Sequence, residues 1–233
     1  GNSLGLAGIK IFKDGSLLMG KVLGDEIYDP NALSREVSLG LDSLYRESGF
    51  LITEIENYSG IFGSLIKKIP LYEETPGLRE KALQAKSIMS EFPNLTGAAH
   101  PTSYLILFQN NMELRPTGGF IGSFALATFD GGRLIDLNVS DVYSADGQLK
   151  GHVEPPAPIK DYLGEANWFL RDSNWDPDFP ISAARAEWFL EKEIDKKVDG
   201  VIGVDLELVK NLLAVTGPIA LTDFNEVIDS NNL

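Results

Sequence analysis

The residues best suited to chemistry lie in three polar segments, 110–122, 140–147 and 171–178. The first reads Asn110-Asn111-Met112-Glu113-Leu114-Arg115-Pro116-Thr117-Gly118-Gly119-Phe120-Ile121-Gly122. Arg115 and Arg171 are natural anion ligands, because a guanidinium offers a planar fork of donors that matches phosphate or carboxylate. Gly118 and Gly119 would let backbone amides approach the same anion. Asn110, Asn111, Glu113 and Thr117 complete a candidate ligand-binding set. Asp172, Asp176 and Asp178, with Asp141 and Asp146, supply the oxygen ligands that a hard divalent cation needs, and such a cation would bridge carboxylates to a phosphate.

Each of these features also has a plainer reading. Arg115 would pair with Glu113 or another core acid, and the glycines would serve a bulge or tight turn. The aspartates would cap helices and close turns, with Asp146-Gly147 an ordinary turn. Trp168 and Trp175 flank Arg171 and would either stack on a sugar or anchor the core. His100 and His152 stand alone. No phosphate-binding P-loop or dinucleotide fingerprint is present. Ser140, Ser144 and Ser173 lack the Gly-x-Ser-x-Gly setting of a hydrolase nucleophile.

The elements that must position these residues follow from apolar periodicity. Residues 1–97 read as a helical segment packing on a main domain, and residues 98–233 as that main, mixed-sheet domain. Leu4 to Gly24 is a glycine-weakened helix. Asp29-Pro30 opens a long one, with Val37, Leu41, Leu44, Ser48, Leu51, Ile55 and Tyr58 along one stripe. Gly60, Gly63 and Pro70 break that pattern. Thr75-Pro76 opens a further helix with Leu78, Ala82, Ala85 and Met89 inward, and Pro93 follows its end.

Beyond residue 101 the grammar changes to strand-length apolar runs at 103–109 and 119–129, then a hairpin turn at Asp130-Gly131-Gly132 and a return strand over 133–139. A short helix is expected over Ile159–Leu163, ended by Gly164. Another opens at Pro180, with Ile181, Ala184, Trp188 and Phe189 on its buried side. Strand 198–205, helix 206–215 with Leu208 or Val209, Leu212 and Leu213 inward, and strand Ile219–Leu221 complete the chain. The fold class implied is α/β (α+β), a mixed central sheet flanked by helices.

Composition narrows the function classes. The chain has 233 residues, a formal net charge of -14 and no Cys. Nucleic-acid binding needs a basic footprint, which this charge argues against. Thiolate metal sites, disulfides and a Cys nucleophile are excluded. No apolar run is long enough to span a bilayer. The chain opens Gly1-Asn2-Ser3 without Met, as a processed or truncated protein does, so any membrane contact is expected through a segment outside this sequence.

The 110–123 segment resembles the hallmark of a bacterial domain-of-unknown-function family, number four thousand and twelve. Asp141-Val142-Tyr143, Leu170–Pro180, Val198–Ile202 and Thr216–Ile219 are similar to it as well. That family is in turn distantly similar to the LytR-CpsA-Psr proteins, membrane-anchored extracytoplasmic enzymes that move glycopolymers from polyprenyl pyrophosphate carriers to the cell wall. The resemblance implies a LytR-CpsA-Psr-like fold, an extracytoplasmic location, a polyprenyl-linked or phosphorylated glycan as ligand, and magnesium as cofactor. By position, Arg115 matches an early phosphate-binding Arg, and Asp141 matches the acid of an Arg-Asp pair whose Arg is here Ser140. Arg171-Asp172 would stand in for the missing arginine.

The resulting expectation is metal-assisted, phosphoryl-linked transfer. Arg115 and Arg171 clamp the pyrophosphate, with Asp141 and Asp172 also in the catalytic set, and Asp141, Asp172 and Asp176 hold magnesium. The alternative is a non-catalytic interaction or structural envelope domain in which the same residues form a structural network.

Overall fold

The computed structural model describes residues 18, 20–24, 26–57 and 70–233. Most of the helix expected over Leu4–Gly24 lies outside these residues, as do Tyr58, Gly60 and Gly63. The chain divides into two compact units. One runs to Thr102 and includes Phe129–Ile135, and the other comprises Ser103–Thr128 and Asp136–Leu233.

The first unit is built on a pair of helices, α1 (Pro30–Asn57) and α2 (Pro70–Leu95). Asp29 starts α1 as the sequence implies: its carboxylate accepts from Asn31 N at 2.9 Å and its carbonyl from Leu33 N at 3.0 Å. The stripe Val37, Leu41, Leu44, Ser48 and Ile55 is buried. Leu33, Val37, Leu41 and Leu44 form one core with Ala82, Met89 and Phe92 of α2.

Helix α2 departs from expectation. It begins at Pro70 and runs through both Pro76 and Pro93. A proline inside a helix removes one backbone donor and orphans the carbonyl four residues earlier. At Pro93 that carbonyl is Met89 O, and the Ser34 hydroxyl on α1 donates to it at 2.5 Å. Packing between the helices thus compensates for what local rules read as a stop. Leu78, expected on the buried stripe, is 37% exposed.

The helix ends on Gly97, whose φ of 71° admits the left-handed cap, with Ala98 N donating to Pro93 O at 2.8 Å. Gly131 N and Gly132 N, at the tip of a β-hairpin, donate to Gly97 O and Thr96 O at 2.9 and 2.8 Å.

A four-stranded sheet organises the second unit, although Thr102 and the hairpin tip Phe129–Ile135 belong to the first. Its strands are β1 (Thr102–Asn110), β2 (Phe120–Asp130), β3 (Arg133–Asp141) and β4 (Gly200–Asp205), in the order β3-β2-β1-β4. Strand β4 runs parallel to β1, with Tyr104 opposite Gly200 and Phe108 opposite Val204. Gly131 and Gly132, at φ 56° and 89°, make the two-residue turn between β2 and β3.

Helix α3 (Val142–Asp146) follows β3, α4 (Phe179–Ile194) precedes β4, and α5 (Leu206–Thr216) follows it. A π-type turn covers Ile159–Leu163 and ends at Gly164, as expected. A small antiparallel pair, β5 (Ile219–Leu221) and β6 (Glu226–Ile228), closes the chain. The core is formed by Leu105, Leu107, Ile121, Phe124, Leu170 and Phe189 with their neighbours. The architecture is the mixed α/β sheet with flanking helices that the sequence implies.

Two helix faces differ from expectation. On α4 the buried residues are Ser182, Ala186, Phe189, Leu190 and Glu193, whereas Ile181 and Trp188 are exposed. Phe189 is buried as expected, but the rest of the expected side is not, because the buried one carries a serine and a glutamate with structural partners. On α5, Leu213 is buried while Leu208 and Leu212 are exposed.

Candidate functional site

The loop between β1 and β2 closes on itself before it presents any side chain. Asn110 Oδ1 accepts from Met112 N at 3.0 Å, Asn110 O from Glu113 N at 3.1 Å, and Glu113 O from Phe120 N at 3.0 Å. Gly119 sits at φ 123°, where a Cβ would lie 2.1 Å from Asn110 O, so only glycine fits.

That closure aims Arg115 at the short turn Leu170–Asp172. Arg115 Nε donates to Asp172 Oδ1 at 3.0 Å, and Nη1 to its neighbour's carbonyl, Leu114 O, at 3.0 Å. Its guanidinium lies 5.3 Å from the Phe120 ring centre and 5.9 Å from that of Trp175. Asn174 Nδ2 donates to Gly119 O at 2.7 Å, and Thr117 Oγ1 to Asn174 O at 3.4 Å. The first and third polar segments of the sequence therefore meet.

Arg171 extends the network. Nη1 donates to Asp146 Oδ2 and Nη2 to Glu165 Oε2, each at 2.8 Å, while Nε lies 3.5 Å from Asp172 Oδ2. The cation stacks 4.4 Å from the Phe169 ring centre and 5.5 Å from that of Tyr143. The Trp168 indole N–H donates to Asp172 O at 2.8 Å, fixing the turn that carries both residues. Asp172 thus serves both arginines. Little of this is wet: the side chains of Arg115 and Arg171 are 13% and 12% exposed, and that of Asp172 is 4%.

Beneath Arg171, Glu193 of α4 accepts from Leu170 N at 3.1 Å through Oε1. Burial, reinforced by the Asp146 charge, pushes the Glu193 carboxyl up to about 8. Burial also raises Asp146, with the hydrogen bond and charge of Arg171 opposing it. Burial works against the Arg171 cation, but its bonds to Asp146 and Glu165 outweigh that and raise it. Asp146 Oδ1 and Glu193 Oε2 are buried with no hydrogen-bond partner among the described residues.

Other expected residues lie outside this network. Asp141 Oδ1 accepts from Tyr143 N at 2.8 Å and caps α3. Asp176 Oδ1 accepts from Asp178 N at 2.9 Å in a turn before α4. Glu113 is exposed and Asn111 half-buried. The acids expected to hold magnesium do not fit that role in this arrangement: Asp141 and Asp176 each hold a backbone amide, and Asp172 faces two guanidiniums. Among the described residues no three His, Asp or Glu side chains are grouped to hold a cation.

Sequence reasoning did not single out Glu165, Glu193 or Asn174, and it read Asp146-Gly147 as a turn. Nothing local marks these residues, since each acquires its role from a partner distant in the chain. Beside the network is a hollow of about 240 Å³ lined mainly by Pro156, Trp168, Ser173, Trp175, Ile181 and Arg185. The Arg185 guanidinium lies 4.8 Å from the Trp168 ring centre.

The residues of this network all fall within one stretch that matches a family model. The family model described as Protein of unknown function (DUF4012) matches residues 99–233. The chain belongs to the DUF4012 family. The DUF4012 match begins just before β1, so helices α1 and α2 lie outside it. Searches of curated proteins and of solved structures find no match.

Proposed function

We propose that this DUF4012 chain is a non-catalytic interaction or structural domain of the bacterial envelope, in which the hallmark polar residues brace the fold. The supporting observation is the engagement of both candidate arginines. Arg115 and Arg171 are held by Asp172, Asp146 and Glu165, and both are nearly out of solvent. To grip a diphosphate they would have to leave buried carboxylates behind, and stranding one partner of a buried pair costs about 3–5 kcal/mol. The extracytoplasmic setting rests on the likeness of the motifs to LytR-CpsA-Psr proteins.

A second reading keeps the carrier ligand. It is favoured by the convergence of Arg115 and Arg171 on Asp172 beside a hollow lined by Trp168 and Trp175. In that reading the arginines clamp the pyrophosphate of a polyprenyl-linked glycan and the tryptophans receive its apolar or sugar portion, as an envelope glycopolymer ligase requires. Isothermal titration with a polyprenyl pyrophosphate analogue, with and without magnesium, separates the two. The interaction-domain reading expects no saturable heat in the wild type. Saturable binding that disappears in Arg115→Ala would overturn it and establish the carrier reading.

A further inference from the structure

From the sheet edge formed by β3 among the described residues we infer that two copies of this chain associate through β3, pairing antiparallel about Leu137 to form one continuous eight-stranded sheet. This inference is independent of the reading above. Strand β3 is terminal in the order β3-β2-β1-β4 and is nine residues long. A long edge with unpaired N–H and C=O groups is a template for another strand, and monomeric proteins usually blunt it with Lys, Pro or a covering element. Strand β3 contains neither Lys nor Pro. It exposes Ile135, Leu137 and Val139 at 53%, 52% and 60%.

The backbone makes the edge usable. The two-residue turn at Gly131-Gly132 pairs Asp130 with Arg133. Odd-numbered residues of β3 then bond to β2, and the amides and carbonyls of Leu134, Asp136, Asn138 and Ser140 point outward. In the same register Ile135, Leu137 and Val139 share a sheet face with the core residues Phe124 and Leu126, so the exposed row prolongs the core face.

The sequence of β3 is complementary to itself in one register. With Leu137, the middle residue, on a two-fold axis, Leu137 meets Leu137 of the second copy and Ile135 meets Val139. Asp136 meets Asn138. Opposed apolar pairs stabilise an antiparallel ladder. Moving the axis by one residue to Asp136 sets two carboxylates face to face. Moving it to Asn138 sets Ile135 opposite Asp141. An isologous contact of this kind closes on itself, giving a dimer and not a fibre.

Sedimentation velocity over a concentration series tests the inference on the full chain. A reversible monomer–dimer equilibrium is expected for the wild type, and a monomer at every concentration would overturn the proposal. Leu137→Lys and Leu137→Glu, at an exposed position, should each raise the dimer Kd by roughly one to two orders of magnitude. Mixing the two variants should restore a heterodimer. A Kd unchanged by either substitution, or a mixture that stays monomeric, would overturn the Leu137-centred pairing. Because the chain has no Cys, Leu137→Cys supplies an independent reading. It should form a disulfide-linked dimer on mild oxidation while Ile135→Cys forms no covalent dimer, and the reverse result would sink the register.

Discussion

The helix pair and the sheet unit each place an arginine against an aromatic ring, and they do so to different ends. In the first unit Arg79 stacks 4.2 Å from the Tyr45 ring centre and donates to the Tyr45 hydroxyl at 2.7 Å, while the core itself is apolar. The ion pair that links the two helices, Lys86–Asp42 at 2.7 Å, is about 40% exposed on each side. In the second unit the guanidiniums of Arg115 and Arg171 are inside, and each is met by a carboxylate. Apolar packing is nearly non-directional, so the helix pair accommodates Pro93 by shifting one hydrogen bond. A buried charge network has few equivalent arrangements, so it specifies where the β1–β2 loop, α3 and the turn before α4 must stand.

That contrast can be tested by perturbing each unit in turn, with the largest expected effect from the buried cation. All three tryptophans, Trp168, Trp175 and Trp188, belong to the second unit, so their fluorescence reports that unit alone. Arg171→Ala strands Asp146 and Glu165 and should destabilise the second unit by about 3–5 kcal/mol in urea titrations followed by tryptophan emission. A loss below about 1 kcal/mol would mean that the network is ornamental.

Next comes the proton on Glu193. Its folded pKa, raised to about 8, lies above the unfolded value of 4.5. Between those values the folded state holds a proton that the unfolded chain has released. Stability is therefore complete below the lower value and is lost progressively as pH rises from it through the upper one, by up to about 5 kcal/mol. Glu193→Gln keeps a carbonyl to accept from Leu170 N and removes the titration. Its urea midpoint should exceed that of the wild type at pH 8 and match it near pH 4.5. Asp146, also raised, leaves a smaller slope of the same sign. An identical pH slope in wild type and variant would refute the assignment.

In the helix pair the effects shrink. Ser34→Ala leaves the Met89 carbonyl without its donor and should cost about 1–2 kcal/mol by circular dichroism. In a Pro93→Ala background the backbone amide returns and the same substitution should cost less. Lys86→Ala, removing a half-exposed pair, should cost less than about 1 kcal/mol. A larger loss there than for Arg171→Ala would invert the comparison.

The sequence reveals much of this and stops at identifiable points. Strand runs, the Gly131-Gly132 turn and the α1 stripe can be read from it, because each has a local signature, whereas the meeting of Arg115 with Asp172 joins segments 57 residues apart and has none. The face of α4 cannot, because Glu193 is inside to serve Leu170 N, a partner that only the folded chain supplies. The span of α2 cannot, because Ser34 answers for Pro93 from another helix. Asp146 next to Gly147 looks like a turn and acts as the anchor of Arg171.

The sharing of Asp172 has a consequence for how such a domain can change over generations. Because one carboxylate serves two cations, its loss takes from Arg115 the carboxylate that holds it while Arg171 keeps Asp146 and Glu165, and harm from changes at positions 115 and 172 will not add. A lineage that drifts at Asp172 gains little by keeping Arg115, so that pair is inherited, or abandoned, together, while Arg171 stays tied to Asp146 and Glu165.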